Sequence, residues 1–184
     1  DKDFFYRADT CMNDEINIVD IEGNRIGSIG KLEAHEKGTL HEAFSIFVFD
    51  NDKKLLLQKR NLDKYHSGGL WTNTCCSHPK VGEKLEVAIH RRLQEEMGFD
   101  CELREIFSFT YRAENLTNNL IENEFDHVFF GRVDSVTIKP NPEEVADYKW
   151  VTMEDLKSDI LLSPEKYTEW LKIIMCSSKL DNIV

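Results

Sequence analysis

The sequence predicts an α+β protein, an α/β/α sandwich with a mixed β-sheet flanked by helices. Three observations predict it. Short apolar or alternating runs of strand length recur along most of the chain. One amphipathic helical pattern, at 83–97, interrupts them. Helical signals return after the last strand, where Ser163-Pro164 opens a second region. Glycine and proline are sparse and no repeat or low-complexity linker appears, so the expectation is one domain spanning 1–184.

Taken in order, residues 16–21 alternate roughly, Glu22-Gly23-Asn24 turns, and 25–29 returns, giving an N-terminal β extension. Residues 40–49 read as a strand that is apolar on both faces in its middle and therefore central. Asp50-Asn51-Asp52-Lys53 is a hairpin turn into a strand at 55–60. Gly68-Gly69 breaks the chain before a short segment at 70–75. In the helix at 83–97, Leu85, Ala88, Ile89 and Leu93 recur at three-to-four spacing, and Gly98 stops it. Strands follow at 103–112, 121–133 and 148–151. Thr152 is placed to cap a short helix with Asp155. A last helix is expected over 165–177, with Pro164 at its start.

Composition narrows the function. Apolar residues make up 41% and charged residues 31% of 184, which excludes a disordered chain, a collagen-like repeat or a mini-protein scaffold. With 23 basic and 34 acidic residues the net charge is −11, which disfavours nonspecific binding to nucleic acid or anionic lipid. A small anionic substrate remains compatible, because a few convergent cations reverse the local sign. Five cysteines, Cys11, Cys75, Cys76, Cys101 and Cys176, fit free thiols in a reducing compartment. The longest apolar run, 43–49, already contains Ser45, and neither a signal peptide nor a lipidation or retention signal is visible. The expectation is a cytoplasmic protein without a membrane or nucleic-acid partner; its oligomeric state stays open.

Several residues could carry chemistry. Glu122 and Glu124 sit two apart on a strand, so both carboxylates point the same way and repel unless a cation or proton lies between them. His35 and His41 flank the start of the central strand, and His78 follows Cys75-Cys76-Ser77. Three imidazoles and two carboxylates suit a divalent metal such as Zn, Mn or Mg; unrelated histidines beside a solvated acidic strand would read the same. Cys76 shares the side of His78 on an extended segment, whereas Cys75 faces the packing side. A thiol beside a metal or imidazolium can act as acid, base or nucleophile. On the helix, Arg91, Arg92, Glu95 and Glu96 precede Gly98-Phe99, and Glu83 falls eight residues before Arg91. That spacing matches part of the Nudix box, in which helix glutamates hold a metal on a diphosphate. Ser77 replaces its leading glycine and Arg92 replaces one of its glutamates. The same charges also form i,i+4 pairs of a solvated helix face.

Together these segments resemble type I isopentenyl-diphosphate Δ-isomerase, a Nudix-fold family of isoprenoid synthesis. The resemblance covers roughly residues 31–170. It rests on Leu40-His41-Glu42-Ala43-Phe44-Ser45, Trp71-Thr72-Asn73-Thr74-Cys75-Cys76-Ser77-His78-Pro79, Arg91-Arg92-Leu93-Gln94-Glu95-Glu96-Met97-Gly98, Tyr111-Arg112-Ala113 and Glu122-Asn123-Glu124. It implies a shift of a carbon–carbon double bond, isopentenyl to dimethylallyl diphosphate and back, through a tertiary carbocation. It implies that Cys76 and Glu124 form the acid–base pair, with Tyr111 hydrogen-bonding near Glu124 and Trp170 offering a π face. By the same resemblance His35, His41, His78, Glu122 and Glu124 hold one metal, of which Mn, Zn and Mg are candidates. Glu96 holds a Mg that rides on the diphosphate, and Lys31, Arg60, Lys64 and Arg92 grip that diphosphate. Trp170 reads equally as a core residue beside Leu171 and Ile174, and His66, His90 and His127 match no ligand and read as structural or surface residues.

Two alternatives stand beside this. A Nudix-type diphosphate hydrolase would share the helix, but Arg92 and Cys76 argue against it. A zinc-stabilised interaction domain would explain the His and Cys residues but not the paired glutamates or the basic set.

Overall fold

The structure is a computed structural model that describes residues 14–114 and 116–181. Cys11, Asn115 of the polar connection after Tyr111, and the tail at 182–184 lie outside these residues. Strand β1 (Glu15–Val19) pairs antiparallel with β2 (Arg25–Gly30), forming the expected N-terminal extension. Helix α1 (Lys31–Lys37) leads to the central strand β3 (His41–Phe49), in which every residue is buried. Then come β4 (Leu55–Arg60), β5 (Trp71–Thr72), β6 (Cys75–Ser77) and helix α2 (Leu85–Met97). Strands β7 (Leu103–Ala113), β8 (Glu122–Arg132) and β9 (Val145–Val151) follow, and helices α3 (Met153–Leu162) and α4 (Glu169–Cys176) close the described chain.

The described strands make one mixed sheet of nine. β3 runs parallel to β8 from His41↔Glu124 to Phe49↔Arg132, and antiparallel to β6, with Ser45 opposite Cys76. β7 pairs antiparallel with β8, while β4 pairs with β3, β5 and β9. Alternate β3 side chains serve two layers. Phe44, Ile46 and Val48 pack against Ala88, Ile89, Leu93 and Met97 of α2. Phe47 and Phe49 point the other way, towards Leu156 and Ile160 of α3 and Leu171 and Ile174 of α4. Each buried side chain of this size contributes about 1.5–3 kcal/mol by leaving water. That double burial is why 40–49 reads as apolar on both faces, and it produces the α/β/α sandwich.

Thr152 caps α3 as expected, its Oγ1 accepting the Asp155 N–H at 3.1 Å. Three regions depart from the sequence reading. The expected helix over 165–177 is split. Pro164–Lys166 is a single 3-10 turn, Tyr167 and Thr168 are extended, and α4 begins only at Glu169. The cause is tertiary: the Thr168 N–H donates to the Trp71 carbonyl at 3.0 Å, and the Thr168 and Thr72 hydroxyls meet at 2.9 Å. A β-like bond to a neighbouring strand outcompetes local helix propensity there. The second departure is α1, for which the sequence reading has no element. Its seven residues bury only Ala34 and His35, too few for a visible period, although Lys-Leu-Glu-Ala-His-Glu-Lys ahead of Gly38 is a run of adequate helix formers. The short segment at 70–75 is also two strands, separated by the buried Asn73 and Thr74.

Candidate active site and metal centre

Because β3 and β8 are parallel, their N-terminal ends lie side by side. His41 therefore sits opposite Glu124, and α1 carries His35 to the same end of the sheet. β6 carries Cys76 and leads into His78, while β7 sets Tyr111 opposite Glu124. All expected site residues are described. Cys76, His78, Glu122, Glu124, Glu96, Trp170 and the four basic residues line one cleft, and His35, His41 and Tyr111 contact its floor of carboxylates.

The His/Glu cluster has the chemistry of a cation site. His35, His41, His78 and Glu124 each offer a ligand atom within 4.8 Å of one another; His35, His66 and Glu122 form a second, overlapping group. The Lys31 and Thr39 carbonyls lie 2.6 and 2.7 Å from Nδ1 of His35 and His41. A carbonyl can only accept, so each Nδ1 carries the proton and each Nε2 presents a bare lone pair. Those lone pairs face carboxylate oxygens: His35 Nε2 lies 3.4 Å from Glu122 Oε2, and His41 Nε2 lies 3.5 Å from Glu124 Oε1. Both Nε2 atoms and Glu122 Oε2 are buried without a hydrogen-bond partner. Electron pairs turned on one another in this way call for a divalent cation, and imidazole with carboxylate is a suitable donor set. Burial, then Lys31 and the neighbouring imidazoles, push His78 well below its usual range, which keeps it a neutral donor. Burial opposes charge on His41, but Glu124 and Glu122 outweigh it and raise its pKa, so a proton and a cation compete for the same Nε2 lone pair.

The acid–base candidates differ in protonation. Burial pushes the Cys76 thiol up to about 12, so it is a protonated donor and not the activated thiolate that a neighbouring imidazolium would give. Burial and the adjacent Glu122 charge raise Glu124 to about 7. Glu122 moves down, burial being overcome by His66 and His35, so the negative charge of the pair is concentrated on Glu122. Tyr111 donates its hydroxyl to Glu124 Oε2 at 2.8 Å. Cys75, by contrast, is wholly buried beneath α2, as its facing predicts. Trp170 is buried, as a core residue would be, and it also lines the cleft, with its indole N–H on Asn73 Oδ1 at 3.2 Å.

The helix charges divide into two sets. Glu83 binds Arg91 through both oxygens, at 2.6 and 2.8 Å, in a half-buried pair, and the exposed Glu95 bridges Arg91 and Arg92 at 3.1 and 2.7 Å. Arg92 and Glu96 face inward instead. Arg92 donates to Glu96 Oε1 at 2.6 Å and to Ser77 Oγ at 3.0 Å, and Gln58 donates to Glu96 Oε2 at 2.8 Å. Glu144, just ahead of β9, pairs with Lys64 and, at 3.4 Å, with Arg92. Burial opposes its ionisation, but those two cations hold its carboxyl down at about 2. Arg60 lies 5.3 Å from the Trp170 ring.

Sequence reasoning missed three buried or half-buried participants. His66, expected as structural or surface, sits in the cleft with Nε2 2.9 Å from Glu122 Oε1. Its only signal was its place two residues after Lys64. Asp126 continues the Glu122–Glu124 face of β8 and accepts the Ser45 hydroxyl at 2.7 Å; period two could have found it. Glu144 gave no local signal, because its partners are 80 and 52 positions away.

A curled mixed sheet between helices, with the box-like helix α2 beside a carboxylate-rich cleft, defines a Nudix domain, and the NUDIX family model matches residues 39–171. Solved structures agree on the fold. Crystal structures of DR0079 from Deinococcus radiodurans (19% identical, covering 81% of this chain and 90% of that one, TM-score 0.67) and of a MutT NUDIX hydrolase from Burkholderia pseudomallei (20%, 74% and 96%, TM-score 0.58) share it. Within that class the chain belongs to the isopentenyl-diphosphate Delta-isomerase family. It is 58% identical over 164 residues to isopentenyl-diphosphate Delta-isomerase 2 of Photorhabdus laumondii, covering 89% of this chain and 92% of that protein. It is 54% identical over 161 residues to isopentenyl-diphosphate Delta-isomerase 1 of Aromatoleum aromaticum, covering 88% and 90%. Among the described residues no helix is long and apolar enough to cross a membrane.

Proposed function

We propose that this chain interconverts isopentenyl and dimethylallyl diphosphate in the cytoplasm, as the names of its relatives indicate for them. The observation that carries the reading is a thiol, Cys76, and a carboxyl, Glu124, brought together in one cleft rimmed by Lys31, Arg60, Lys64 and Arg92. Moving the double bond requires a proton added to the terminal alkene carbon and another removed two carbons away, on the far side of the tertiary centre. Cys76 and Glu124 supply the two sites of exchange, and Tyr111 fixes the Glu124 carboxyl for the transfer. The carbocation between the steps needs a water-poor pocket with a π face, for which Trp170 is placed; such contacts contribute on the order of 0.5–2 kcal/mol.

A Mn, Zn or Mg ion held by His35, His41, His78, Glu122 and Glu124 would set the acidity of the Glu124 carboxyl. The four cations take the diphosphate. For Glu96 to hold a Mg on that diphosphate, Arg92 exchanges its Glu96 contact for a phosphate oxygen, an exchange its place in the cleft permits. The hydrolase alternative is disfavoured by the same residue, since Arg92 stands at a glutamate position of the box. The substrate is thus a small prenyl diphosphate, and neither nucleic acid nor membrane is required.

The test is to incubate the metal-loaded protein with isopentenyl diphosphate and Mg in deuterated water. Deuterium should enter the product with no phosphate released, and Glu124→Gln should abolish labelling and isomerisation together. Phosphate release without deuterium incorporation would replace this reading with the hydrolase.

A further inference from the structure

We infer that His66 is a positioning residue that orients the carboxylate of Glu122 for the metal centre and joins that centre to the diphosphate grip. The two oxygens of Glu122 are divided between two histidines. Oε2 faces His35 Nε2 at 3.4 Å without a hydrogen bond, whereas Oε1 lies 2.9 Å from His66 Nε2. The Ser67 hydroxyl is 3.3 Å from His66 Nδ1. If that hydroxyl donates, Nε2 carries the ring proton and donates it to Glu122. One carboxylate oxygen is thereby fixed, and the other is left pointing at the imidazole lone pairs. The His66 ring also stacks on His35, with centroids 5.2 Å apart and planes at 29°.

The loop that presents His66 is tightly determined. Ser67 has φ 53°, a conformation uncommon for a non-glycine residue. A Cβ on Gly68 would stand 2.6 Å from the Leu62 carbonyl oxygen, so only glycine fits beneath that turn. The His66 carbonyl accepts from Arg60 Nη2 at 3.3 Å. Its side chain therefore holds the floor of the site and its backbone holds the rim. The inference rests on reading the cluster as a metal centre.

The experiment measures Zn affinity by chelator competition, without substrate, so that it does not depend on turnover. His66→Phe keeps a stacked ring and removes the N–H, and should bind Zn about 10–100-fold more weakly. His66→Gln restores a donor and should recover to within about threefold of wild type. At saturating metal, His66→Phe should lose about tenfold in kcat while KM stays within about twofold. A folded His66→Phe that binds Zn like wild type overturns the inference and assigns His66 to packing. Wild type binding two Zn ions where His66→Phe binds one also overturns it, making His66 a ligand. Wild type that binds no divalent ion overturns the metal-centre reading itself.

Discussion

Cys75 and Cys76 differ in which way an extended backbone turns them, and the proposed mechanism makes that the difference between packing and chemistry. Cys75 is wholly enclosed with Ala88 and Leu93, while Cys76 lines the cleft. Cys75→Ala should keep most turnover and lose about 1 kcal/mol of stability through the small cavity it leaves. Cys76→Ala and Cys76→Ser should lose nearly all turnover with the melting curve little changed; equal loss from Cys75→Ala would refute the division. With its thiol held up at about 12, Cys76 should alkylate slowly at neutral pH and about tenfold faster per unit of rising pH, with substrate protecting. Glu144 supplies a second titration. Its carboxyl is held below its ordinary 4.5, at about 2, by Lys64 and Arg92. A depressed carboxylate contributes stability that is complete above 4.5 and fades as pH falls towards 2. Glu144→Gln should therefore cost on the order of 2–3 kcal/mol at neutral pH and lose less than wild type between those limits, read from urea melts across pH. Parallel pH curves for the two proteins would deny the ion pair any part in stability.

Elements carry these residues, and α2 shows how one end of an element can matter more than its middle. Gly98 closes α2 at φ +74°, its N–H on the Gln94 carbonyl, and a Cβ there would strike the Lys139 carbonyl oxygen. Residues 139 and 141 bond back to the carbonyls of Met97 and Glu96, so this junction docks the segment that ends in Glu144. Gly98→Ala should cost about 1–3 kcal/mol and lower Tm by roughly 2–10 °C. An unchanged Tm would mean that the segment is not held there. The helix and its stop were legible because three-to-four spacing and a terminal glycine are local signals. So was the shared face of Glu122 and Glu124, because strand period is fixed by the backbone. The break before α4 was not legible, since Thr168 takes its partner from Trp71, 97 positions earlier. His66 was hidden for the same reason: nothing in Tyr65-His66-Ser67 encodes a contact with Glu122, 56 residues on.

At the scale of the molecule, the His/Glu cluster joins parts of the chain that are far apart in sequence. His35 comes from α1, His41 from β3, His78 from beyond β6 and the two glutamates from β8. A cation that binds the folded arrangement and not the unfolded chain stabilises every element it joins, by RT ln(1 + [L]/Kd). At a free metal concentration of about 100 Kd that amounts to roughly 2.7 kcal/mol, or some 5–10 °C in Tm for a chain of this length. Loading with Zn or Mn should therefore raise Tm by that much over chelator-treated protein, and removing the metal should abolish isomerisation reversibly. His35→Ala should flatten the metal-dependent rise, because it deletes the donor that both overlapping groups share. His90→Ala should keep the full rise, since His90 is exposed and paired with Asp100 away from the cluster. A Tm that is the same with chelator and with excess metal, in a protein that still isomerises, would show that these imidazoles and carboxylates are held by their own hydrogen bonds and need no ion.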